Sequence, residues 1–179
     1  HAGDKAGTVR VTCSVTDPKD NRVYSASVDV VVGGVTNKPS NVRTIVQVPG
    51  YLGFQDNVVG LSNSVVVQAR VFDDLNQPVT NSTGANVRVK ILPVGNAYSG
   101  ARLMAGLQSR NPNEELWVAT VGGVGSFMLA SGPKAQGILS GKIVLELTVD
   151  RADNDITNGP DIEPIKSLIA IDVVNGVGT

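Results

Sequence analysis

"GTVRVTCSVTDPKDNRVYSASVDVVVGG", Gly7 to Gly34, and "SGKIVLELTVDRADNDITNGPDIEPIKSLIAIDVVNG", Ser140 to Gly176, follow one grammar. Each opens on a small residue and a glycine, Ala6-Gly7 and Ser140-Gly141, and runs on as a strand in which side chains alternate between two faces. The apolar set is Val9, Val11, Cys13 and Val15 in the first copy and Ile143, Leu145, Leu147 and Val149 in the second. An aspartate closes each strand, Asp17 and Asp150. After a polar turn the chain returns through Val28-Asp29-Val30-Val31 or Ile171-Asp172-Val173-Val174 to a glycine, Gly33 or Gly176. The copies lie 134 residues apart at Gly7 and Gly141 and 143 apart at Asp29 and Asp172, the difference being the longer second turn.

A hairpin cannot bury its apolar face alone, so each copy is expected to close a larger sandwich. The organisation this predicts is a C-terminal hairpin of one β-sandwich repeat over residues 1–34, followed by a complete sandwich over 35–179. The boundary falls in the Gly-, Asn- and Pro-containing linker Gly33 to Ser40. The competing reading places both hairpins in one internally duplicated domain.

Composition agrees with an all-β chain. Of 179 residues, 41% are apolar and 17% charged, enough for one sizeable core. Twenty glycines and nine prolines amid Val, Ile and Thr imply strands joined by tight turns. The net charge is −1 and the 15 basic residues are scattered, so nothing marks a nucleic-acid surface. The longest apolar runs, such as Val28 to Val35 around Asp29, are too short and broken to span a bilayer. No charged-then-apolar leader is read in these residues, so this piece of an exported parent is expected to be mature or excised chain. The only histidine, His1, reads as a tag remnant, and the lone Cys13 as a small buried hydrophobe on the inward face of its strand.

Within the complete domain, strands are predicted at Val42 to Val48, stopped by Pro49-Gly50, at Ser64 to Asp74 with Val65, Val67, Ala69 and Val71 inward, and at Ala85 to Pro93 with Val87, Val89 and Ile91 inward. Gly100 to Arg110 fits a strand or one short helix. Strands resume at Glu114 to Val121 and Ser126 to Ser131 before the closing hairpin. About seven strands at this spacing make an immunoglobulin-like β-sandwich, without the Cys pair and intervening Trp of antibody domains.

"VQARVFDDLNQPVTNSTGANVRVKI" resembles the second and third strands of bacterial immunoglobulin-like domains of the invasin and intimin type, through Asp73, Asn76, Pro78 and Val79. "AGTVRVTCSV" resembles the penultimate strand of such domains. The resemblance covers about 60 residues, and the repeat here, near 140 residues, is longer than the usual unit. It implies a cell-surface or secreted array of spacer and adhesion domains, extracellular, whose partners are neighbouring domains of the same chain and a host or cell-surface protein or glycan.

The residues offer little for catalysis. With His1 alone, Ser-His-Asp and Cys-His chemistry have no base inside the fold and histidine metal sites have no ligands, so the chain reads as non-enzymatic. Asp73-Asp74 and Glu114-Glu115 read as strand ends. "VGGVGS", Val121 to Ser126, lacks the helix and lysine of a phosphate loop and reads as a turn.

Two stretches carry ligand chemistry. In "DRADNDITNGPDIE", Asp150, Asp153, Asp155, Asp161 and Glu163 crowd one loop, a hard-oxygen set of the kind calcium takes, or a solvated acidic loop at a sheet edge. The EF-hand pattern fails, since Asn158 stands where its glycine belongs. No cofactor other than calcium is implied. In "PGYLGFQDN", Tyr51 and Phe54 are the one aromatic pair suited to a sugar face, or to packing over the open end of the sandwich. The alternatives to a plain structural role are therefore a calcium- or carbohydrate-binding module, or an accessory domain of a secreted enzyme.

Overall fold

The computed structural model describes residues 7–32, 38–46, 51–58, 60–80, 82 and 84–176. His1, Pro49-Gly50 and most of the expected linker lie outside them. The chain divides into two compact units, His1–Thr36 and Asn37–Thr179. Every described element is a strand or turn, and among the described residues no helix is long and apolar enough to cross a membrane.

The first unit is one antiparallel hairpin, β1 (Gly7–Thr16) and β2 (Val23–Val32), paired from Gly7 with Val32 to Thr16 with Val23. The second unit contains β3 (Asn41–Val46), β4 (Leu52–Gly53), β5 (Ser64–Phe72), β6 (Ala85–Ile91), β7 (Arg102–Ala105), β8 (Gln108–Arg110), β9 (Glu115–Ala119), β10 (Val124–Ala130), β11 (Ser140–Asp150) and β12 (Pro164–Val174). One sheet has the order β3-β5-β10-β7-β8 and the other β4-β12-β11-β6-β9. All pairs are antiparallel except β4 with β12.

Period-two alternation puts one face of each sheet into a shared core. Val65, Val67, Ala69 and Val71 of β5 and Leu129 of β10 pack with Val87, Val89 and Ile91 of β6 and Ile143, Leu145, Leu147 and Val149 of β11. On β5, β6 and β11 the expected inward sets are the buried ones. A register shift between Ala85 and Val87 buries Asn86 and Val87 in succession, as a bulge does.

The structure corrects several expectations. Gly100 to Arg110 is neither one strand nor a helix; it is the short hairpin β7–β8, turning at Gly106-Leu107. Its pattern is weak because Leu103 alone among these strand residues is fully buried, while Leu107 at the tip is fully exposed. The strand β4 was not foreseen, being two residues long. Cys13 is exposed instead of buried, and Val11, Val15 and Val28 on the same face are 50–66% exposed, because a hairpin supplies no second layer of its own.

Candidate functional site

The five carboxylates of the acidic loop are sent to different partners. Asp150, at the end of β11, is buried and accepts backbone N–H groups from Ala152 (2.9 Å), Ile162 (2.8 Å) and Glu163 (3.0 Å). Burial pushes its carboxyl upward, but the three N–H donors outweigh that and hold it below the ordinary aspartate value. Asp153 accepts from the Asp155 N–H (3.0 Å) and the Asn158 amide (2.6 Å). Asp155 accepts from the hydroxyl and N–H of Thr157, at 2.7 and 2.8 Å, which lowers its pKa too. Asp161 is paired with Arg88 of β6, and Glu163 stands 4.0 Å from Arg151. Among the described residues no group of three or more His, Cys, Asp or Glu is placed to hold a metal ion.

What shapes this loop was largely missed in the sequence. Asn154 is buried with a φ of 59°, and its Oδ1 accepts from the Nδ2 of Asn86 at the bulge of β6 (3.0 Å). Asn86 Oδ1 in turn accepts the Thr120 N–H (3.0 Å), so one buried amide joins the loop to two other parts of the sandwich. Arg151 donates to both oxygens of Asp74, at 2.9 and 2.5 Å, and to the Pro39 carbonyl at 3.2 Å. The available signal was "DPKDN", Asp17 to Asn21, against "DRADN", Asp150 to Asn154. In both turns the Asn has positive φ and donates its N–H to the Asp carbonyl four residues back, at 2.9 and 3.1 Å. "VGGVGS" is a two-residue turn, with Val121 and Val124 bridged across Gly122-Gly123.

The aromatic pair is split. Phe54 is 1% exposed and part of the core, whereas Tyr51 is 49% exposed. Tyr51 borders an open cleft of about 660 Å³, whose other walls are the Gly95-Asn96 turn, the start of β11 from Ser140 to Lys142, and Asp172 and Val174 of β12. This volume is within the range of small-molecule sites. Two glycines build it. At Gly95, with φ of +82°, a Cβ would lie 2.5 Å from the Lys142 carbonyl, and at Gly141 one would lie 2.4 Å from Asn96 Oδ1. Asn96 is thereby pressed onto β11, accepting the Lys142 N–H and donating to the Ser140 carbonyl, both at 3.3 Å. Lys142 Nζ meets Asp172 Oδ1 at 2.5 Å across the strands, both side chains more than half exposed. The cleft thus offers one aromatic face beside a cation and an anion.

No protein-family model matches the chain, and no curated protein does either.

Proposed function

We propose that the chain is a non-catalytic, immunoglobulin-like structural and adhesion module from a tandem array in a bacterial surface or secreted protein. The observation that carries the reading is the repeated closing hairpin. β1–β2 and β11–β12 share alternation and a turn that opens on an Asp followed four residues on by a positive-φ Asn. They also share a cross-strand ion pair made by the aspartate of the second strand, Arg10 with Asp29 and Lys142 with Asp172. Support for the immunoglobulin-like part comes from strand order. β3-β5-β10-β7 follows the ABED order of such sandwiches, and β6-β11-β12 follows CFG. The added strands β8 and β9 fall between D and E and account for part of the extra length.

A module that spaces or anchors a surface must resist load. Stretched from its ends by force spectroscopy, residues 41–174 are expected to give way in one event that frees about 450 Å of chain. Gradual lengthening with no force peak would reject the spacer role.

The second reading is a binding module for a glycan, favoured by exposed Tyr51 at the cleft. Aromatic rings stack on sugar faces, and Lys142, Asp172 and Asn96 supply polar groups beside it. Glycan-array binding by residues 1–179 that Tyr51→Ala removes supports this reading. Binding unchanged by that substitution rules the cleft out.

A further inference from the structure

We propose that the apolar face of β1–β2 docks on the inner sheet face of a neighbouring β-sandwich, closing that sandwich as β11–β12 closes its own. The proposal rests on the tandem reading and names what occupies the junction: a Val- and Leu-rich sheet of the kind formed here by β3, β5, β10 and β7.

The two faces of the hairpin are unlike. On one, Arg10 donates to both oxygens of Asp29 (2.7 and 3.0 Å) and the Thr12 and Ser27 hydroxyls share a hydrogen bond of 3.0 Å. This face satisfies itself in water. On the other, Val11 faces Val28, Cys13 faces Ala26 and Val15 faces Tyr24, with Val11, Val15, Tyr24 and Val28 each at least half exposed. An apolar strip along the length of a hairpin, with its polar partners all on the reverse, is the pattern of one layer of a core.

The second hairpin shows what covers such a face. Taking the ion pairs as equivalent, the pair beside them is Val11 with Val28 in one hairpin and Ile143 with Ile171 in the other, followed by Cys13 with Ala26 and Leu145 with Ile169. Ile143, Leu145 and Leu147 are fully buried in a core that also holds Val67, Leu103 and Leu129 of the opposite sheet. The outer edge of β11 from Leu145 to Thr148 is paired with β6; its counterpart on β1, Cys13 to Thr16, belongs to a two-stranded sheet among the described residues. The second ladder runs two pairs further from ion pair to turn. Side chains in the middle of the first face are smaller, Val for Ile143, Cys for Leu145 and Ala for Ile169, whereas Tyr24 near the turn stands in the place of Ser167. The sheet it takes therefore carries bulkier inward side chains opposite Cys13 and Ala26 than β5 and β10 present opposite Leu145 and Ile169.

Residues 37–139, a sandwich without its closing hairpin, fused ahead of residues 8–179, test this. In chain 1–179 the Cys13 thiol is expected to react with a maleimide as an exposed cysteine does. In the fusion its labelling should slow about 100-fold or more, because reaction then requires opening of a core. A second fusion restores volume with Val11→Ile, Val15→Leu, Ala26→Ile and Val28→Ile, leaving Cys13 as the probe; protection there alone also supports the proposal, as the size argument requires. Residues 37–176 fused to 37–179 control for folding of a tandem pair. If the control melts cooperatively while Cys13 reacts as fast in both fusions as in chain 1–179, the proposal is overturned. Protection in chain 1–179 that rises with protein concentration overturns it in favour of a second copy. Neither failure bears on the force measurement, which tests the spacer role by itself.

Discussion

Asp150 is 1% exposed and accepts three backbone N–H groups, so its ionised form is part of the fold. Its folded pKa is depressed, so its stabilisation is present above the unfolded aspartate value of about 3.9 and is lost as pH falls through the folded value. Asp150→Asn removes the charge and leaves one oxygen in place of two. The variant should lose about 1–3 kcal/mol at pH 7 and show a shallower fall in stability on acidification, measured by urea unfolding at pH 7 and pH 3. Equal losses at both pH values would mean that the charge is not what the turn uses. At Arg88 the cost is of another kind. Asp161 is 7% exposed beside it, and Arg88→Met strands that carboxylate, with an expected loss of about 3–5 kcal/mol that Arg88→Met with Asp161→Leu largely restores. At this scale the dense carboxylate loop from Asp150 to Glu163 was legible in the residue order alone. The long-range destinations could not be read there, because they depend on Asn86, Arg88 and Asp74, which lie 68 or more residues along the chain from their partners Asn154, Asp161 and Arg151.

The strands that were legible are those whose two faces meet different surroundings. β5, β6, β10 and β11 alternate because one face meets the core and the other water, and period two is then written into the residue types. β4 was not legible since two residues cannot show a period, and its parallel partner β12 lies about 120 residues on. That pairing, along with the burial of Leu52 and Phe54, separates Tyr51 from Phe54 and turns an expected aromatic pair into one exposed ring above a cleft. The cleft's construction makes a coupled prediction. Gly141→Ala sets a methyl against Asn96 Oδ1 and Ala97 Cβ and should cost about 1–3 kcal/mol, whereas in the background of Asn96→Gly the same substitution should cost clearly less. A thermal-unfolding double-mutant cycle measures it. Additive losses would place the strain elsewhere, against Ala97 alone.

Taken as a whole chain, the two units differ in how their apolar residues are housed. In Asn37–Thr179, β5 and β11 lie centrally in their sheets, paired on both sides and buried on one face. Their amides can exchange with solvent only through unfolding of the whole sandwich. The hairpin β1–β2 is a two-stranded sheet with an exposed apolar face, and a sheet of that size is marginal in water. Hydrogen exchange followed by mass spectrometry on residues 1–179 should therefore show β5 and β11 protected for hours. Segments of β1 and β2 should exchange at least 100-fold faster, since fraying a hairpin breaks no core. The comparison reads out burial of the whole face, where thiol labelling reads one atom. If β1 and β2 proved as slow as β11 in dilute solution, their apolar face would already be covered in this chain, and the occupant would have to be something other than a neighbouring repeat. Fast exchange there, against slow exchange in the second hairpin, would tie the difference between two nearly identical sequence patterns to the presence of a second layer alone.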